Sequence, residues 1–153
     1  MDLNPKIKCK LEDYVIRQGK RLNIDFTPTR AHDTDAGADI RCVRGFTLPA
    51  HGFVAVNTGV HIELPPHTKC EVKSKSGLWT NHGIITTGLI DEGFTGPIRV
   101  GLANLSDKDY EFKPGEKITQ LCVSPVLYPT YEQANAITGG ERGDAGYGST
   151  GEF

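Results

Sequence analysis

No stretch of this chain comes near the roughly 20 consecutive apolar residues that a membrane-spanning helix needs. Net charge is also scarce, with 17 Lys and Arg set against 19 Asp and Glu. That balance argues against a protein whose main business is non-specific nucleic-acid binding, which favours a strongly basic surface. The four cysteines, Cys9, Cys42, Cys70 and Cys122, are scattered without a CxxC spacing. With no signal-peptide pattern in residues 1–20, they are expected to be reduced, mostly buried thiols. The expected compartment is the cytoplasm, or the host-cell cytoplasm if the chain is viral or from a phage. Repeats are missing as well, and no linker composition appears before about Thr138. At 153 residues, one core is what remains.

What the chain does have is short alternating runs broken by Gly and Pro. Phe53-Val54-Ala55-Val56, Val60-His61-Ile62-Glu63-Leu64, Cys70-Glu71-Val72, Ile98-Arg99-Val100-Gly101-Leu102 and Ile118-Thr119-Gln120-Leu121-Cys122-Val123 are the clearest. Period-two alternation with frequent turn signals predicts an all-β sandwich or barrel. Prolines sit at the ends of these runs, where a missing ladder donor costs least. Two short helices are expected, over 12–18 and 132–137.

Five polar, glycine-marked segments interrupt the strands. Ala31-His32-Asp33-Thr34-Asp35-Ala36-Gly37-Ala38-Asp39 gathers three carboxylates without calcium-loop spacing, and reads as a metal site, a hydrogen-bonded turn or a solvated loop. Lys73-Ser74-Lys75-Ser76-Gly77 alternates cations with hydroxyls before a permissive glycine. It is a phosphate cradle or an exposed basic strand end, and it is no P-loop. Gly88-Leu89-Ile90-Asp91-Glu92-Gly93-Phe94-Thr95-Gly96 holds an aspartate at a glycine-rich hairpin, suited to general-base work on a water. Its Phe94 either tucks back into the core or serves a ligand. Pro114-Gly115 turns the chain into a strand bearing Gln120. The last segment, Arg142-Gly143-Asp144-Ala145-Gly146-Tyr147-Gly148-Ser149-Thr150-Gly151, has almost nothing to pack into a core. It is a disordered tail, or a ligand clamp in which a guanidinium grips phosphate and a ring faces a base.

Taken in order, A-x-x-x-D-A-G-x-D, S-G-L, G-x-I-D-x-G-F-x-G, P-G-x-x-I-x-Q and R-G-x-x-G-Y-G-S-T-G resemble the five motifs of the trimeric deoxyuridine triphosphatase (dUTPase) family. The resemblance runs from Ala31 to Gly151. It implies a jelly-roll-like β-barrel or sandwich over residues 1–137 and an extended glycine-rich C-terminal arm over 138–153. It further implies a homotrimer with each site at a subunit boundary, dUTP as substrate, dUMP and pyrophosphate as products, and Mg²⁺ as cofactor. Neither a membrane nor direct nucleic-acid binding is expected, and a regulatory protein partner stays open.

By the same resemblance, Asp91 is the catalytic base. Lys75, Ser76 and Gly77 hold the phosphate chain, and Gln120 contacts the phosphates or their water network. Thr87, Gly88 and Ile98 lie where uracil is read, Phe94 packs against the deoxyribose, and Tyr147 and Gly148 cover the base. Arg142, Ser149 and Thr150 clamp the terminal phosphates, while Asp39 meets the metal only through water. Lys75 stands where the family often has Arg, and Phe94 where Tyr is commoner. The loop Ile85-Thr86-Thr87 also departs from the family pattern. A sister family of dCTP deaminases shares the hairpin, but the position of its proton-shuttling Glu is Gly101 here, which argues against deamination.

Overall fold

Alternation along the strands decides which faces meet. In Arg99–Asn104 the side chains of Val100, Leu102 and Asn104 are buried while their neighbours are not, as a half-buried strand requires. The computed structural model describes residues 4–143. In chain order its elements are β1 (Lys8–Leu11), α1 (Asp13–Leu22), β2 (Ala38–Arg41), β3 (Phe46–Leu48), β4 (Phe53–Asn57), β5 (Val60–Glu63) and β6 (Thr68–Lys73). They continue with α2 (Ser76–His82), β7 (Ile84–Ile85), β8 (Thr87–Ile90), β9 (Arg99–Asn104), β10 (Tyr110–Phe112) and β11 (Lys117–Pro125). The expected all-β, jelly-roll-like architecture is what forms.

Four antiparallel sheets carry it: β2-β11-β6-β8, β4-β9-β7, β1-β5 and β10-β3. Their inner faces share one core that includes Ile40, Leu48, Val60, Val72, Val100, Leu102, Phe112 and Ile118, all essentially inaccessible. Burying each large side chain of this kind contributes about 1.5–3 kcal/mol, before the entropy of ordering it. Phe112 stacks on Phe46 with ring centroids 4.7 Å apart, closing one end of the sandwich. A smaller cluster of Val15, Phe26 and Val43 fastens α1 to the outside. Among the described residues no helix is long and apolar enough to cross a membrane.

Several expectations are corrected. The helix predicted over 12–18 forms and runs on to Leu22, but residues 132–137 hold no helix. An apolar stripe stabilises a helix only when something packs on it, and Ile137 is 91% exposed. A helix also forms at Ser76–His82, where none was expected. The third segment is no two-stranded hairpin, because β8 pairs with β6 while β9 pairs with β4 and β7. Finally, all four cysteines are free, but only Cys42 and Cys70 are buried. Burial pushes Cys70 up to about 12 and Cys42 to about 11, so neither thiol is a nucleophile at neutral pH.

Candidate functional site

Strand β11 lies between β2 and β6, and its register sets Gln120 opposite Asp39 on one side and Lys73 on the other. Around that point a cavity of about 450 Å³ opens, lined by His32, Gly37, Asp39, Lys75, Lys117 and Gln120 among others. The side chain of Asp39 is only 7% exposed, yet it is charged, because Lys117 reaches one carboxylate oxygen at 2.5 Å and Lys75 takes the other. Burial alone would raise its pKa. Hydrogen bonds and charge from the two lysines outweigh that and hold the carboxyl below its ordinary value. The stabilisation from this triad is therefore present above about pH 4, the unfolded carboxylate's range, and is lost as pH falls through the lowered value.

Gln120 is aimed by two contacts. Its amide N–H donates to the Ser74 carbonyl at 3.0 Å. Its Oε1 rests over Gly37, where a Cβ would sit 2.2 Å away, so glycine is needed there for the close approach. Lys75 occupies the N-cap position of α2 without a side-chain cap bond, and the N–H groups of Ser76 and Gly77, in the first turn, have no intrahelical acceptors. Nothing lies within 4 Å of a Cβ built on Gly77, so that backbone is open to a ligand. Ser74 ties this corner to the next strand, donating to the Thr86 carbonyl and accepting the Thr86 N–H, each at 2.9 Å. Lys117 escaped the sequence reading; its one signal is its place just after the Pro114-Gly115 turn, at the head of the strand that carries Gln120.

Asp91 lies elsewhere. It follows Ile90, which pairs with Cys70, so Asp91 falls beside Lys69 at the beginning of β6. Lys75 is six residues further along, and at about 3.3 Å per extended residue the two sites stand roughly 20 Å apart. The Asp91 corner is a tight turn in which the Phe94 N–H donates to the Asp91 carbonyl at 3.2 Å, and Gly93 adopts φ +88°. A second cavity, of about 350 Å³, is lined here by Thr68, Lys69, Asp91, Glu92, Val126 and Tyr128. The Phe94 ring, 49% exposed, lies across Gly96 and stays out of the core.

Thr87 and Gly88 are exposed on β8, an edge strand whose outer row of backbone groups is unpaired within its sheet. Ile98 is buried and spent: its N–H donates to the Val60 carbonyl at 2.9 Å, and its carbonyl accepts from the Thr58 N–H and hydroxyl. A carbonyl has two acceptor positions, so Ile98 keeps no backbone group for a base. Arg142 sits in an exposed turn. Tyr147, Gly148, Ser149 and Thr150 lie outside the described residues.

The sequence profile of the dUTPase family matches residues 26–151, most of the chain. The chain belongs to the dUTPase family. A deoxyuridine 5'-triphosphate nucleotidohydrolase of Clostridium novyi is 38% identical over 127 residues, covering 81% of this chain and 89% of that protein. Its counterpart in Clostridium acetobutylicum is 34% identical over 152 residues, covering 97% of each. Among solved structures, a mutant dUTPase of Staphylococcus bacteriophage 80alpha with dUpNHpp superposes with a TM-score of 0.82. It is 23% identical and covers 97% of this chain and 99% of its own, which shows the fold. This dUTPase family member is therefore an enzyme that hydrolyses dUTP.

Proposed function

We propose that the chain converts dUTP to dUMP and pyrophosphate in a site assembled between copies of itself, the Asp39–Lys75–Gln120 cluster of one meeting the Asp91 corner of another. The supporting observation is the strand-length separation of these groups. A triphosphate is shorter than this separation, which favours two copies meeting around one substrate. A homotrimer, as the family resemblance implies, supplies the second copy. Removal of dUTP keeps uracil out of DNA and supplies dUMP for thymidylate synthesis.

In this reading the carboxylate of Asp91 orients a water for in-line attack at the α-phosphorus and accepts its proton. Lys75 exchanges its bond to Asp39 for a phosphate oxygen, joined by the Ser76 and Gly77 N–H groups, and Gln120 completes the phosphate contacts. Uracil is read by the open edge of β8 at Thr87 and Gly88, which offers alternating N–H donors and carbonyl acceptors to match the base. Arg142, Ser149 and Thr150 of the arm, residues 138–153, clamp the terminal phosphates, while Tyr147 and Gly148 cover the base and exclude water.

Among the described residues no three His, Cys, Asp or Glu side chains gather around a point where an ion could sit. Asp39 offers hard carboxylate oxygens in the phosphate cavity, which fits the water shell that Mg²⁺ sheds reluctantly. When bound with the nucleotide, Mg²⁺ supplies positive charge that neutralises the triphosphate oxygens.

The test is complementation. Chains carrying Asp91→Asn and chains carrying Lys75→Ala with Gln120→Ala are each expected to be inactive. After co-refolding in equal amounts, about a quarter of the sites in a closed ring receive two intact halves, so a pyrophosphate-release assay should recover that fraction of activity. A mixture no more active than its parents would place both clusters in one chain's site and overturn the reading.

Phe94 gives a separate expectation. A half-exposed ring packed on the sugar leaves no room or partner for a ribose hydroxyl. Phe94→Ala should narrow the dUTP-over-UTP ratio of kcat/KM by about 10- to 100-fold, since a steric contact of this size is worth 1–3 kcal/mol. Unchanged selectivity would mean that the sugar is sensed elsewhere.

A further inference from the structure

The residue after Asp91 is an exposed carboxylate with more bonds than its surroundings require. Glu92 Oε2 accepts the His67 N–H at 2.9 Å and also the hydroxyl of Tyr128. His67 stands in the turn before β6, in the left-handed region at φ +61°, which is uncommon for a residue other than glycine. Its carbonyl accepts the Val126 N–H at 3.0 Å, and its ring lies 5.8 Å from that of Tyr128. One oxygen thus gathers three segments: the turn entering β6, the Asp91 corner, and the chain leaving β11.

The corner needs such a fastening. Upstream, β8 is held to β6 only as far as Ile90. Downstream, Gly93 at φ +88° contributes no stiffness, and the turn is closed by the single Phe94–Asp91 backbone bond. Hydrogen bonds to an ionised acceptor are the strong kind. Bonds from the Tyr128 hydroxyl and then the His67 N–H hold the Glu92 carboxyl below its ordinary range, so it is ionised at neutral pH.

We propose that Glu92 is a positioning residue: with Tyr128 and the His67 backbone it locks the Asp91 corner to the chain leaving β11, so that the base is held in its place. This rests on the assignment of Asp91 as the base. Glu92 itself touches no substrate in this account, so its loss acts on turnover and leaves binding alone.

The test uses steady-state dUTP hydrolysis by the full chain. Glu92→Ala should lower kcat by about 10- to 100-fold, the scale of a sub-ångström to 1 Å misplacement of a reacting group, with KM within about twofold. Glu92→Gln keeps an oxygen for both donors and should restore kcat to within about threefold of wild type. Tyr128→Phe should lower kcat alone yet add nothing on top of Glu92→Ala, because the two act as one unit. A normal kcat for Glu92→Ala, a loss confined to KM, or multiplying losses in the double variant would each overturn the proposal. Should Glu92→Ala fail to fold, Glu92→Gln and Tyr128→Phe still decide: the first near wild type with the second impaired supports the lock, and an unimpaired Tyr128→Phe refutes it. Asp91→Asn run alongside separates the two assignments. If it turns over normally, the base assignment fails; if it is inert while Glu92→Ala is normal, only the lock fails.

Discussion

Asp91→Asn should lower kcat for dUTP hydrolysis by about 10²- to 10⁴-fold, the range a general base contributes. Asparagine keeps the shape of the side chain and loses the charge that accepts a proton. Its structural cost should be small, because Asp91 is exposed and holds the turn through its backbone carbonyl, which accepts the Phe94 N–H. Among the described residues the Asp91 carboxylate makes no hydrogen bond or ion pair within the chain, and the interaction lost is the repulsion between its charge and an ionised Tyr128. The melting temperature and the affinity for a nonhydrolysable dUTP analogue are therefore expected to stay near wild type while pyrophosphate release collapses. A variant with near-normal turnover would remove Asp91 from the base position. One that unfolds or loses the analogue would make it a structural or binding residue.

Deleting residues 138–153 should cost about 10²- to 10³-fold in kcat/KM, comparable with the loss of preorganised donors around a phosphoryl group. The fold predicts that this truncation leaves the β domain standing. Among the described residues the last strand ends at Pro125, and residues 126–143 contain neither helix nor strand. Leu127, Tyr131 and Ile137 are 88%, 91% and 91% exposed, so this stretch adds almost nothing to the core of its own chain. Thermal denaturation and the sedimentation coefficient of the truncated protein should match those of the whole, allowing for mass. An undiminished rate would return the segment to the status of a tail. A collapse of the oligomer would instead make it part of the assembly.

The strands over 53–56, 98–102 and 118–123 were legible because one face of each meets a single core, and a period of two records that directly. Helix α2 was not. Its seven residues include Gly77, Thr80 and Asn81, poor helix formers. It is held by the burial of Leu78 and stopped by Gly83 in the left-handed region, both set by tertiary packing. The helix expected over 132–137 failed for the converse reason, since local preference without a surface to pack on is too weak in water. In the candidate site, Asp39, Lys75 and Gln120 could be named one by one from their segments, but not their meeting, which depends on the β2–β11–β6 register. Lys117 and Glu92 were invisible as partners because what they hold lies far away in the chain, Asp39 in one case and His67 and Tyr128 in the other.

On the proposed reading, strand β6 runs from beside the Asp91 corner to just short of the Lys75 cradle and spaces the two, and that has a consequence for control. On the proposed assembly, no swing of a loop could carry a chain's own base to its own phosphate cradle, because the strand would first have to come out of the sheet. A copy separated by dilution would keep its fold and yet be silent. Concentration itself would then act as the on-switch, and whatever pulls the copies apart would extinguish hydrolysis without ever entering the nucleotide cavity.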